Sequence, residues 1–153
     1  MARTECLIGA PPERVWEVLA DPRHYGHWVV GSRRIRDADA EWPAVGSRFH
    51  HAVGKPPLVV RDHTIVEEST PPYHLKLRAK ARPLGTAIVD LRLQRSPAGT
   101  HVAMTEVGGD RITKLLFMPL THLLVWRRNV TSLERLKELA EGGGPSPAES
   151  ASA

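Results

Sequence analysis

Apolar and polar residues along this chain keep two rhythms. Between about Val29 and Gly109 they alternate with period two, which sends successive side chains to opposite faces of a strand. The stretch Tyr73–Arg82 shows it best. Leu75, Leu77, Ala79 and Ala81 alternate there with Lys76, Arg78, Lys80 and Arg82. Val89, Leu91 and Leu93 alternate with Ile88, Asp90 and Arg92, and Val102, Met104 and Glu106 with His101, Ala103, Thr105 and Val107. Gly and Pro clusters divide the run at Gly54–Pro57, Pro71-Pro72, Pro83–Gly85 and Ser96–Gly99. The pattern predicts strands at 29–36, 46–53, 58–67 and 73–82, then two more ending near Gly99 and Gly109.

Helical rhythm flanks this region. After a first strand over 3–9, Pro11 and Pro12 suit a helix's first turn, where a missing N–H costs nothing, and Glu13 favours that end through the helix dipole. Val15, Trp16, Val18 and Leu19 supply the apolar face. Asp21-Pro22 ends this helix and caps a shorter one running to about His27. From Asp110 to about Ala140 the spacing predicts a long helix with Ile112, Leu116, Leu120, Leu123, Val130 and Leu133 on one broad face. Pro119 inside it is expected to kink or loosen its first turns. The order of strand, two helices, six strands and one long helix implies an α+β fold, with the long helix packed across a curved antiparallel sheet of about seven strands.

Hairpins reverse the chain at every turn. The turns at Gly54–Pro57, Pro83–Gly85 and Gly108–Asp110 therefore share one end of the sheet with the start of the long helix. That end, rich in Gly and Pro, is the expected mouth of any cavity.

Composition narrows the classes. A chain of 153 residues fits one domain, here 1–141, followed by a tail at 142–153 of Gly, Pro, Ser, Ala and one Glu, too polar to order itself. No apolar run approaches the roughly 20 residues that span a bilayer. Glu5 interrupts the N-terminus before a signal sequence forms, so the expected location is cytoplasmic. A single cysteine, Cys6, leaves no internal disulfide and no cysteine-based metal site. The net charge of +4 is dispersed and aromatic residues are few, so nucleic acid is not the expected partner. No P-loop, dinucleotide fingerprint or nucleophile elbow occurs, and no cofactor is implied. Of the eight histidines, His24 and His27 share a helical spacing, but no metal-ligand set such as HExxH accompanies them. The basic row Lys76, Arg78, Lys80 and Arg82 reads as a solvated outer face or as a surface for an acidic partner.

The pattern resembles the START/Bet v 1-like helix-grip superfamily, which is grouped with polyketide cyclases and lipid-transport proteins. The likeness spans about residues 3–141. It is carried by Ile8–Trp16 (IGAPPERVW), Asp21–Trp28 (DPRHYGHW), Gly46–Phe49, Pro71-Pro72, Gly99–Val102 and Leu133–Ala140. That resemblance implies an internal cavity for a small hydrophobic molecule. It brings no universal catalytic motif, and superfamily members include lipid and hormone carriers, aromatase/cyclases, quinone-binding proteins and co-chaperone-like domains.

The expected cavity is lined by Trp28, Phe49, Leu77, Val89, Leu91, Met104, Leu116, Leu120 and Leu123, with one or two polar groups to orient the ligand. Glu106 is in phase with Val102 and Met104. Facing inward it would be desolvated and suited to acid–base work; alternatively it reaches water at the strand end or pairs with an arginine. Arg127, among Leu120, Leu123, Leu124 and Val130, would hold an anionic oxygen or else snorkel to solvent. His51 shares the face of Phe49, and with Asp62 on the next strand it would form an acid–base pair; separate, satisfied polar groups are the plainer reading. Binding of an apolar ligand is the first expectation. An aromatase/cyclase-type reaction using His51, Asp62 or Glu106, and a protein-interaction role, are the alternatives.

Overall fold

The computed structural model describes residues 2–29, 32–55, 57–81, 85–109 and 119–143. Strand β1 (Ala2–Ile8) is followed by α1 (Pro12–Ala20) and α2 (Pro22–Trp28). Six strands come next: β2 (Ser32–Ala38), β3 (Arg48–Lys55), β4 (Leu58–Thr70), β5 (His74–Ala81), β6 (Gly85–Ser96) and β7 (Gly99–Gly108). The long C-terminal helix α3 (Pro119–Glu138) ends in a wider turn, Leu139–Gly143, where Gly142 takes the left-handed backbone (φ 103°) that releases a helix terminus.

The strands form one curved antiparallel sheet in the order β1-β7-β6-β5-β4-β3-β2. Among the described strands, only the β1–β7 contact joins strands distant in sequence; every other pair is consecutive in the chain. Register shifts in β2 and between Val66 and Glu68 of β4 bend those strands, as bulges do. Strand direction places the β3–β4 and β5–β6 turns and the end of β7 at one end of the sheet, as the alternation of hairpins requires. Residues 56, 82–84 and 110–118 lie outside the described residues, so the expected mouth falls largely there.

One sheet face is buried beneath the helices. Val66, Leu75, Leu77, Leu91, Val102 and Phe49 lie on it, packed with Leu133 and Leu136 of α3 and with Val15, Val18 and Leu19 of α1. Each such side chain contributes about 1.5–3 kcal/mol of burial. The opposite face is polar. Lys76 Nζ donates to Glu68 at 2.9 Å and Arg78 donates to Glu67, so two members of the basic row are paired within the sheet.

The ends of α3 and β1 are tied together. Arg14 donates to the carbonyls of Leu139 (3.2 Å) and Ala140 (3.3 Å), and Gly9 N–H donates to Glu141 at 2.6 Å. A cation on the last carbonyls of a helix satisfies acceptors that no helical N–H reaches.

Several boundaries differ from the sequence expectation. Asp21 caps α2 through Arg23 N–H at 2.9 Å, and Val29 N–H still bonds Tyr25. That helical closure consumes Val29, the expected first residue of the second strand; β2 is described from Ser32, and residues 30 and 31 lie outside the described residues. Pro119 is the first described position of α3, and the expected helix over 110–118, with its expected kink, lies outside the described residues. Gly142 and Gly143, expected in the tail, belong to the closing turn; 144–153 are outside the described residues.

Candidate functional site

Strand β7 sends Val102, Met104 and Glu106 to the covered face of the sheet, and Glu106 is only 3% exposed. Its register partner is Val89, whose own partner on β5 is Leu77. A carboxylate in such an apolar row needs a partner, because desolvating an unpaired charge costs several kcal/mol. Arg128 supplies it, donating to Glu106 Oε2 and also to Asn129 Oδ1 at 3.3 Å.

Arg127, expected either to hold an anionic oxygen or to snorkel to solvent, is exposed; Arg128 is exposed too, yet its guanidinium reaches Glu106. The inward face of α3 is set by Asn129, Ser132, Leu133 and Leu136, and adjacent helical positions differ by about 100°. That rotation brings the guanidinium of Arg128, whose side chain is 41% exposed, onto Glu106. Leu123 is corrected for the same reason: it is 52% exposed and points outward. Leu116 and the side chain of Leu120 lie outside the described residues.

Helix α2 places Tyr25 and Trp28, spaced i and i+3, over this region. Tyr25 lies edge-on to Trp28 at 5.1 Å and 4.4 Å from the Phe49 ring; Phe49 lies 4.6 Å from Trp42 and 5.6 Å from His51. Burial raises the Tyr25 phenol above its ordinary range; the charge of Glu106 adds to this and Arg128 opposes it. Tyr25 therefore stays a neutral hydroxyl.

Among the described residues, two buried donors here have no hydrogen-bond partner: Trp28 Nε1 and Asn129 Nδ2. The Asn129 amide orientation follows from chemistry, since Arg128 can only donate and must meet the oxygen. Each unsatisfied buried donor costs about 1–3 kcal/mol.

The second polar centre lies on β3 and β4. His51 and Asp62 are register partners and both are buried. The His51 ring bonds Thr64 Oγ1 through Nε2 at 3.0 Å; among the described residues Nδ1 makes no hydrogen bond, while the His63 backbone near the ring favours its protonated form. Asp62 Oδ1 accepts from His63 N–H at 3.0 Å and lies 3.3 Å from His63 Nδ1. The expected His51–Asp62 pair is thus adjacent, with the His51 hydrogen bond going to Thr64. Burial lowers the His51 pKa, partly countered by Asp62. In the neutral ring, Nε2–H toward Thr64 leaves a lone pair on Nδ1, a smaller loss than a stranded N–H.

Of the residues expected at a site, Trp28, Phe49, His51, Asp62, Leu77, Val89, Leu91, Met104 and Glu106 are buried, and the register places the strand residues on one sheet face. Tyr25, Thr64, Arg128 and Asn129 were not anticipated. For Tyr25 the i,i+3 spacing to Trp28 was the available signal. For Asn129 it was an amide in step with Leu133 and Leu136. Among the described residues no three His, Cys, Asp or Glu side chains gather as metal ligands, and no helix there is long and apolar enough to cross a membrane.

Residues 2–141 match the model of a family described as polyketide cyclase / dehydrase and lipid transport. Solved structures share the fold. A Chromobacterium violaceum protein is 21% identical, with a TM-score of 0.69 over 94% of this chain and 97% of that one. A Nitrosomonas europaea protein is 16% identical, with a TM-score of 0.70 over 93% and 94%. DynU16, from the dynemicin biosynthetic locus, is 18% identical, with a TM-score of 0.68 over 94% of this chain and 48% of its own. No curated protein matches the sequence significantly.

Proposed function

The chain belongs to the polyketide cyclase/dehydrase and lipid-transport family, and on that premise we propose that it binds a small, mainly apolar molecule between the sheet and α3. The observation that carries this reading is the set of polar groups buried in an apolar interior with hydrogen-bonding capacity unused. Trp28 Nε1 and Asn129 Nδ2 lack protein partners, while Leu77, Val89, Leu91 and Met104 supply apolar surface on the same side of the sheet. Apolar contact at roughly 25 cal/mol per Å² gives affinity, and a few polar groups give orientation.

Displacement of a bound naphthalene-type fluorescent dye, followed by native mass spectrometry, tests it. The expected result is saturable one-to-one uptake that falls at least about tenfold in Leu77→Trp, which fills the interior. Leu7→Trp, at an exposed position, leaves uptake unchanged. No uptake by the unaltered protein, or equal uptake by both variants, contradicts the reading.

A second reading is acid–base catalysis of the cyclase type, favoured by the neutral His51 with its unclaimed Nδ1 lone pair opposite Asp62. His51 would take a proton from a carbon beside a carbonyl, and the electron pair would pass to that carbonyl oxygen as an enolate, which closes the ring on a second carbonyl of the chain. With a linear polyketide thioester, this reading predicts ring-closed product that falls at least about a hundredfold in His51→Gln while dye uptake persists. An unchanged product distribution contradicts it.

A further inference from the structure

Resting on the binding role proposed above, we infer that the polar end of the ligand is an uncharged hydrogen-bond acceptor, such as a ketone, ester or quinone oxygen, received by the Trp28 indole N–H and the Asn129 amide N–H where α2 and α3 meet.

The two helices touch, and Tyr25 links the groups between them. Its ring meets Trp28 at 5.1 Å, and its hydroxyl feels the charges of both Glu106 and Arg128. Arg128 in turn bonds Asn129 Oδ1. Trp28 and Asn129 are 1% and 0% exposed, so water does not serve their donors from outside. Both unmatched atoms are N–H groups, and only an acceptor completes them.

The charge of that acceptor follows from the ion pair beside it. Arg128 is already bonded to Glu106. A ligand carboxylate would sit near Glu106 without a free cation, and drawing Arg128 away would strand a buried carboxylate. A ligand hydroxyl used as a donor, or an ammonium, would leave both N–H groups unmet. A neutral carbonyl on an aromatic body avoids both penalties, and the rings of Tyr25, Trp28 and Phe49 suit such a body.

Equilibrium dialysis against three probes of nearly one shape tests this: 1-acetylnaphthalene, 1-ethylnaphthalene and 1-naphthoate. The acetyl compound is expected to bind about tenfold tighter than the ethyl compound, as one or two neutral hydrogen bonds would give, and the naphthoate weakest. Trp28→Phe keeps a ring and removes the N–H; Asn129→Leu removes the amide. Each is expected to weaken acetylnaphthalene about three- to tenfold while ethylnaphthalene stays within about twofold. Trp28→Phe alone decides the matter if Asn129→Leu does not fold.

Three results overturn the inference and leave the binding role standing. They are equal affinity for the acetyl and ethyl probes, tightest binding of naphthoate, and equal loss of both neutral probes in Trp28→Phe. Binding of none of the three probes removes the binding role itself, and the inference with it.

Discussion

His51 carries an ionisable ring where a proton is unwelcome. Burial holds its pKa below the usual value, with the charges of His63 and His50 pushing the same way and Asp62 opposing. An unfolded histidine takes up a proton near pH 6.5, whereas the folded His51 does so only at lower pH. Between those values the unfolded state binds more protons, so stability is whole above about pH 6.5 and declines as pH falls toward the folded value, by at most about 1.4 kcal/mol per pH unit. Calorimetric melts from pH 7.5 to 5 should show a shallower fall in Tm for His51→Gln than for the unaltered protein. Some slope should remain, because His63 is shifted in the same direction, chiefly by desolvation. Identical slopes would mean that His51 titrates normally. At this scale the strand residues were legible in the sequence and the helix residues less so. Period two leaves only two choices, so Phe49 located His51, and Val102 and Met104 located Glu106. On a helix one step is about 100°, and the difference between Arg127 and Arg128 depends on packing against β1 and α2. Trp28 Nε1 and Asn129 Nδ2 were invisible as unmatched donors, because only tertiary structure shows who bonds whom.

Among the elements, the β6–β7 hairpin bears a constraint that its sequence only half announces. Ser96-Pro97-Ala98-Gly99 reads as a turn on composition alone. Why position 99 must be glycine depends on β1, which is distant in sequence. Gly99 has φ +136°, and a Cβ there would lie 2.1 Å from the Ile8 carbonyl oxygen. Thr100 of the same turn region donates to the Ala10 carbonyl at 2.7 Å, fixing the corner where β1 passes into α1. Gly99→Ala should therefore cost at least about 2 kcal/mol in urea denaturation, combining an unfavourable backbone conformation with a steric clash. Amide exchange should quicken first along β1. A change below about 0.5 kcal/mol would show that the corner relaxes freely. The helices obey the same division. The prolines and Asp21 marked the starts of α1 and α2, while the anchoring of the α3 end by Arg14 and Glu141 joins residues more than a hundred positions apart.

Over the whole molecule, the meander from β2 to β7 makes the sheet local in sequence, which is why its order could be read from alternation and turns. The closure of β1 on β7 and the seating of α3 are the non-local steps, and together they cover one face. Two polar centres lie under that cover, the Glu106 carboxylate, which Arg128 reaches from the helix surface, on one side and His51 with Asp62 on the other, joined by the rings of Tyr25 and Phe49. The proposed ligand would enter beneath this covered face rather than bind the outer surface of α3. Methyl NMR during titration with 1-acetylnaphthalene tests that most directly. Saturable one-to-one shifts are expected at the methyls of Leu77, Val89, Leu91 and Met104. Shifts confined to the outward-facing Leu123 and Leu124, or no shifts at saturating probe, would contradict it.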